Sequence, residues 1–518
     1  MRVASAVTSL LEHVRSWSFR EYGIAVLILV ASFLRFWNVP NSLQFLGDQG
    51  RDASIVSDIF RKGDLVFIGP VTSVGNMYLG PGYYYFMAPF LALTYPSPLG
   101  PAYAVAVIGI LTTALVYILG KEMVGKDAAT IATFIVSFSS VVVTYSRFSW
   151  NPNIAPLFGL ILVWACFKAW KTSGWYWLLV GLSFSFLLQL HYLTLLALPA
   201  AGIIWLLHLK DLFNHRNQTA SPKHLKNFVL GTLGAIVITL LSLTPLALFD
   251  FKHDWLNSRA FIDLLTSEDT IGGTASGLTK LTQIIKETHG RSMGILFDIF
   301  LGQSRLRNTI FVMITVMVSL HLLFKKKFKF QKGFTVIVVF IVMTILGASV
   351  YQHTLFDHYL GYMFAVTPLL LGSLLALAAR NTFGKVLLAA MGIWFIILQI
   401  PRYPLKSLGW TVSDMKRTAQ VVAENQKPGV TYSLILLSES RDLYGQNYRF
   451  FLNTTNTPPL APEQFNRADK LVIISENQPI ADITQLPIYE IQTFPSKEIK
   501  SVYTVDGGPT IIELERTQ

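Results

Sequence analysis

The sequence predicts a polytopic α-helical membrane protein that carries a small α/β domain at its C-terminal end. Two observations predict the membrane part. The 518 residues are 52% apolar and 14% charged, with a mean hydropathy of +0.48. The apolar residues gather in long runs between short polar connections, the pattern of repeated bilayer crossings rather than of several soluble domains. A third observation predicts the appended domain: after Pro404 the long runs stop, and short apolar runs alternate with one segment of helical period.

Eleven segments approach the roughly 17–25 residues that a crossing helix needs. They are Tyr22–Trp37, Pro101–Gly120, Ala128–Tyr145, Pro152–Trp170, Trp175–Leu190, Tyr192–His208, Phe228–Phe249, Thr309–Phe324, Phe334–Val350, Gly361–Ala379 and Lys385–Ile400. Arg15 and Arg20 precede the apolar run Gly23–Leu34, as in a signal peptide. No small-x-small cleavage pattern follows, so the run is read as a retained first span. The single cysteine, Cys166, lies inside a span and excludes an internal disulfide.

Charge sets the expected topology. The net charge of +12 is no nucleic-acid signature, because the basic residues sit in short clusters between spans. Lys121/Lys126, Lys168/Lys171, Lys210 to Lys226, Lys325 to Lys332 and Arg380/Lys385 occupy alternate connections, as cytoplasmic loops do. Parity then requires that Tyr83–Leu93 not cross, as a re-entrant or interfacial helix. The expectation is a cytoplasmic N-terminus, about 11–13 transmembrane helices and an outer C-terminus. One face then collects the first outer loop 38–82, the turn Ser146–Asn153, the turn at His191, the large outer loop 250–308 and the short loop Gln352–His358. Ionisable groups gathered on one face of a membrane protein point to function.

The first loop carries Leu46-Gly47-Asp48-Gln49-Gly50-Arg51-Asp52, with two carboxylates and a guanidinium within five residues. Such a site at a bilayer surface suits chemistry on a lipid-borne substrate, where a carboxylate can deprotonate or orient an attacking group and cations can hold a phosphate. Asp48 is the first candidate for that catalytic role, and Asp52, four residues on, can share its helix face. The competing assignment makes Asp52 the catalytic acid and Asp48 its structural partner through Arg51. Arg51 can pair with either acid or meet the phosphate. Arg147, between two spans, is placed to bind a lipid phosphate, although a snorkelling arginine would look the same. His191 and His358 are candidate partners of a phosphate or a sugar hydroxyl, each also readable as a structural histidine. No metal-ligand spacing, Walker loop or dinucleotide fingerprint is present, so neither metal nor cofactor is expected.

Beyond Pro404, Val412, Met415, Ala419 and Val422 fall at helical spacing within Thr411–Gln426. Tyr432–Leu437 and Lys470–Ser475 read as buried strands, with a helix at Tyr444–Leu452 between them. The division is therefore 1–403 for the membrane domain and 404–518 for an outer α/β domain. Ser438, Glu439 and Asp442 read as a strand-end turn, and the domain is expected to be accessory.

The order of parts resembles the membrane GT-C glycosyltransferases, specifically the family-39-like group that includes protein O-mannosyltransferases and lipid A aminoarabinose transferases. The resemblance rests on one span followed by an outer loop with an early acid, Asp48, and on Gly80-Pro81-Gly82-Tyr83-Tyr84-Tyr85. The Ser146-Arg147-Phe148 turn and the large outer loop add to it. It implies a GT-C-like fold, with Asp48 matching the catalytic acid and Arg147 a phosphate-side arginine. Tyr84 and Asn151 join Arg51, His191 and His358 as substrate-binding candidates. Two departures stand out: Asp48-Gln49 replaces the mannosyltransferases' Asp-Glu pair, and their Ser-Arg-linked aspartate falls near Pro152, between Asn151 and Asn153.

The function so implied is an inverting polyprenyl-phosphate-sugar-dependent hexosyl- or pentosyltransferase of the cell (inner or plasma) membrane. Its expected partners are a polyprenyl-phosphate-linked sugar, membrane lipid, and a lipid, glycan or protein acceptor on the outer face. The alternatives are a secondary transporter and a non-catalytic assembly or flippase component. A transporter favours ionisable groups near mid-bilayer in broken, repeated helices, and no such repeat is evident.

Overall fold

The computed structural model describes residues 17–72, 77–215, 222–266, 277–302, 331–351, 354–440, 442–476, 483–496 and 498–516. Helix α1, Phe19–Phe36, opens with a capping box in which Ser18 and Glu21 satisfy each other's backbone N–H groups. The first loop holds α2, Gly47–Lys62, and α3, Gly82–Thr94. The membrane part continues with α4 (Leu99–Val124), α5 (Lys126–Phe138), α6 (Ala155–Lys171), α7 (Trp177–Leu190), α8 (Ala197–His215) and α9 (Pro222–Lys252). It ends with α10 (Lys332–Val350), α11 (Thr367–Ala378) and α12 (Thr382–Gln399).

Every expected span coincides with helix except Thr309–Phe324, which lies outside the described residues, as does most of the basic run 325–332. Fewer of these helices reach crossing length than the eleven to thirteen expected. Among the described residues six are long and apolar enough, or seven if Asp357–Met363 and α11, bent by 64°, form one span. The reasons are local. Helix α1 carries Arg20, Glu21 and Arg35, α7 has 14 residues, and extended backbone at Ser139 separates α5 from Ser140–Tyr145. The protein is multi-pass all the same. The outward side of α9, with Leu233, Ile236 and Leu240 exposed, is apolar as lipid contact demands.

Ion pairs fix which helix ends share a face. Arg20 at the start of α1 meets Asp127 at the start of α5 at 2.6 Å. Lys168 near the end of α6 meets Glu122 at 3.3 Å, and Lys332 at the start of α10 meets Asp211 at 2.7 Å. The start of α1 and the end of α4 therefore lie at one end of the bundle. The end of α1 and the start of α4 must lie at the other, so α3 between them makes no net crossing. Helix α3 is short, with Pro89 inside it, as a helix lying in one face would be.

That second face carries the C-terminal region. Its four strands, β1 (Tyr432–Leu437), β2 (Lys470–Ser475), β3 (Ile499–Thr504) and β4 (Thr510–Glu515), lie in the order β1-β2-β4-β3. The β1/β2 pair is parallel and the other two pairs are antiparallel. Helices α13 (Val412–Glu424) and α14 (Gln446–Leu452) accompany the sheet, and α13 buries Met415, Ala419 and Val422 as its periodicity predicts.

Helix α14 packs directly on α2. A Cβ at Gly50 would lie 2.4 Å from the Gln446 carbonyl oxygen, so the two backbones approach as only glycine allows. Phe45, just before α2, seals the contact with ring centroids 5.7 Å from Phe450 and 5.8 Å from Phe451. A Gly50→Leu change should therefore undock α14 from α2. The expected result is faster proteolytic release of the C-terminal region and a loss of activity of about ten-fold or more.

Candidate active site

The candidate residues of the first loop act as one unit. Asp48 and Arg51 lie in the first turns of α2, where the dipole favours negative charge. Arg51 divides its guanidinium between two acids. Its Nη1 donates to Asp48 at 3.0 Å, while Nε and Nη2 donate to the same Asp52 oxygen at 3.0 and 2.8 Å. Asp52 is buried, and the Tyr84 hydroxyl reaches it from α3 at 3.0 Å. The Asp48 side chain keeps 49% of its surface exposed, against 3% for Asp52. The i, i+4 spacing thus gives two acids with different fates, one facing outward and one locked inside.

Electrostatics follow from that geometry. Burial raises the Asp52 carboxyl above the ordinary range, and the Arg51 charge opposes this. Burial alone would lower the Arg51 pKa, but Asp52 and Asp48 together carry it above normal. Burial beside Asp52 also raises the Tyr84 phenol, which stays protonated as the donor to that acid.

The tyrosine pair of α3 links this unit to the turn Ser146–Asn153. Tyr83 shares a 2.7 Å hydrogen bond with Ser149, next to Trp150. The Trp150 ring lies 4.4 Å from His358, which lies 6.2 Å from His191. His191 also packs on Tyr359 at 4.5 Å. The structure therefore brings the two candidate histidines together, on the same face as α2. His191 Nδ1 accepts the Leu193 N–H at 3.1 Å, which leaves the proton on Nε2 as a donor. Burial, with His358 beside it, pushes the imidazole down to about 3.

Because that value lies below the ordinary 6.5, the unfolded chain binds the proton that folded His191 refuses. Stability should be full above about pH 6.5 and fall as pH drops from there toward about 3. Melting curves across that window should show the loss, and His191→Gln should flatten it.

Two candidates bond to backbone carbonyls of neighbouring segments. Arg147, anticipated at a donor phosphate, is buried and donates to the carbonyls of Leu34 and Trp37 at 2.6 and 2.7 Å and to Ser42 Oγ at 2.7 Å. It ties off the free carbonyls at the end of α1, which the first span leaves without helical partners. Asn151, anticipated at substrate, is buried and donates to the Leu190 carbonyl at 2.6 Å, fixing the turn that presents His191.

Sequence reasoning missed two neighbours. Gln189 Oε1 accepts the Gly82 N–H at 2.9 Å and so sets the start of α3. Asp442, read as a turn residue, comes up against α2: a Cβ at Gly47 would lie 2.6 Å from its Cγ. Only its place among Ser438, Glu439 and Ser440 hinted at more than a turn. Among the described residues no three His, Cys, Asp or Glu side chains group as metal ligands.

Comparison with known proteins fits this arrangement. The profile of the dolichyl-phosphate-mannose–protein mannosyltransferase family matches residues 79–242, from the start of the α3 loop into α9. ArnT from Cupriavidus metallidurans, solved bound to undecaprenyl phosphate, superposes with a TM-score of 0.54 at 12% identity, over 94% of this chain and 97% of that one. The chain has the GT-C fold. The archaeal oligosaccharyltransferase AglB from Archaeoglobus fulgidus, in complex with an inhibitory peptide and a dolichol-phosphate, shares that GT-C fold. Its TM-score is 0.51 at 12% identity, over 88% of this chain and 69% of that one. No curated protein sequence matches the chain. In this GT-C chain the superposition with ArnT extends over almost the whole length, so the sheet-bearing C-terminal region is covered with the bundle.

Proposed function

We propose that the protein is an integral-membrane glycosyltransferase that moves a sugar from a polyprenyl-phosphate donor to an acceptor on the outer face, with inversion. The observation that carries this reading is the half-exposed Asp48 carboxylate at the start of α2, held by Arg51, which buried Asp52 holds in turn while Tyr84 bonds to Asp52. The GT-C fold and the mannosyltransferase-family match support a lipid-linked donor.

In this reading Asp48 takes the proton from the acceptor hydroxyl as its oxygen attacks the anomeric carbon. The bond from that carbon to the phosphate oxygen breaks, and its electron pair leaves with polyprenyl phosphate. Such a leaving group needs hydrogen-bond donors rather than a proton. His191 Nε2–H, with His358 beside it, is proposed to supply one, and Arg51 holds the Asp48 carboxylate in place. Asp52, Tyr84, Arg147 and Asn151 are assigned positioning roles.

Purified protein incubated with a panel of labelled polyprenyl-phosphate sugars and outer-leaflet acceptors tests the reading. Glycosyl transfer with release of polyprenyl phosphate is expected, whereas specific sugar uptake without transfer would replace it by the transporter. Cysteine labelling on a Cys166→Ser background tests the orientation. A probe at position 121 should react only from the cytoplasmic side, and one at position 439 only from outside.

A further inference from the structure

The run Gly80-Pro81-Gly82 lies against the turn that carries His191, and Gln189 fills the space between them. Gln189 is buried at the end of α7, and its Oε1 accepts the Gly82 N–H at 2.9 Å. A Cβ at Gly80 would lie 2.5 Å from Gln189 Cγ, and one at Gly82 would lie 2.7 Å from its Oε1. Both glycines therefore leave room for this one side chain. Helix α7 itself does not need it. Its backbone ladder runs on to the His191 N–H, which meets the Leu187 carbonyl at 3.1 Å.

A second attachment lies on the far side of His191. The Tyr192 hydroxyl donates to the Tyr78 carbonyl. Asn257, from the large outer loop, accepts the Tyr78 N–H at 2.6 Å and donates to the Tyr192 hydroxyl at 3.0 Å. The segment Tyr78–Gly82 is thus bonded to the chain on both sides of His191, at Gln189 and at Tyr192. Its other edge is paired too, because the Gly69 N–H meets the Leu79 carbonyl at 2.7 Å and the Leu79 N–H meets the Pro70 carbonyl at 3.0 Å. The same segment leads into α3. Gly82 is the first residue of that helix, and Tyr84 bonds to Asp52, which shares Arg51 with Asp48.

We infer that Gln189 and Tyr192 are positioning residues that hold His191 in register with α3, and through α3 with Asp48. This rests on the transferase reading above. In a single displacement the attacking oxygen and the departing phosphate oxygen lie on opposite sides of the anomeric carbon. Asp48 serves the first and His191 the second, so the distance between them must match one geometry. A misplacement of about 1 Å in such an arrangement costs about a hundred-fold in rate. The bonds of Gln189 and Tyr192 set that distance from two points, one on each side of His191.

The test uses the full-length protein with the labelled polyprenyl-phosphate sugar that the wild type consumes, and reads kcat, donor KM and melting temperature. Gln189→Met fills the same space without an amide oxygen. It should lower kcat about a hundred-fold and change the donor KM much less. Gln189→Glu keeps an oxygen for the Gly82 N–H and should recover most of that loss. The deciding readout is the cost of His191→Ala. In the wild type it should be about a hundred-fold, as for the loss of one donor to a leaving oxygen. In Gln189→Met it should shrink to about three-fold, because the donor is already out of place. Tyr192→Phe should lower kcat about ten-fold with the same dependence, and it carries the test if Gln189→Met does not fold. A merely structural pair would lower melting temperature and yield, and its cost would add in full to that of His191→Ala. Full additivity, or a wild-type kcat in the folded variants, would overturn the inference while leaving the transferase intact. A wild type that releases no polyprenyl phosphate from any donor would overturn the transferase reading, and this one with it.

Discussion

Asp48→Asn should lower turnover about a hundred-fold or more while the protein folds and melts normally. The side chain is half exposed, so the fold asks little of it. Asparagine keeps its size and can still accept from Arg51, but it cannot take a proton from an attacking hydroxyl. The loss should fall on kcat, with the donor KM nearly unchanged, because the carboxylate acts as the bond forms. Asp52→Asn should behave differently. It weakens the two bonds from Arg51 and the one from Tyr84 inside a buried cluster, so melting temperature and turnover should fall together. The split between activity and stability separates the two acids, which activity alone would not do.

Arg147→Ala should have the largest effect on stability. It removes three hydrogen bonds from a guanidinium and leaves two carbonyls at the end of α1 without partners inside the protein. Each such bond contributes about 1.5–3 kcal/mol, and neighbours do not add fully, so a total loss of about 3 kcal/mol or more is expected. The yield of folded protein should drop and thermal unfolding should come earlier. Arg147→Lys should rescue little, because one ammonium cannot reach three acceptors held by a planar fork. The folded remainder should keep its affinity for donor. A donor KM raised ten-fold in a protein of normal melting temperature would return Arg147 to the phosphate.

These two residues show where the sequence was legible and where it was not. Apolar runs reveal spans, because a bilayer needs them whatever their neighbours are. The strands at Tyr432–Leu437 and Lys470–Ser475 were legible for a similar reason, being buried on both faces. Strand β3 was not, because most of its residues are exposed or half-exposed and its apolar signal is thin. Arg147 reads in sequence as a phosphate-side cation, and its bonds to backbone carbonyls more than a hundred residues earlier leave no mark in any side-chain pattern. Asp48 and Asp52 looked alike because the spacing puts both on one helix face. The folded chain separates them: Asp52 is the one that Tyr84, from α3, reaches. Gly47 and Gly50 look like turn residues in sequence, and only the folded chain shows that the C-terminal region occupies the space they leave.

The central claim is that a lipid-linked sugar is transferred here by a single displacement that depends on Asp48. The most direct test follows a single turnover of one anomerically defined polyprenyl-phosphate sugar by the wild type and by Asp48→Asn. Released polyprenyl phosphate and the product's anomeric configuration are read together. The account predicts one polyprenyl phosphate per glycosylated acceptor, an inverted anomeric centre, and a rate about a hundred-fold lower in the variant. A retained configuration, or a wild-type rate in well-folded Asp48→Asn, would contradict it.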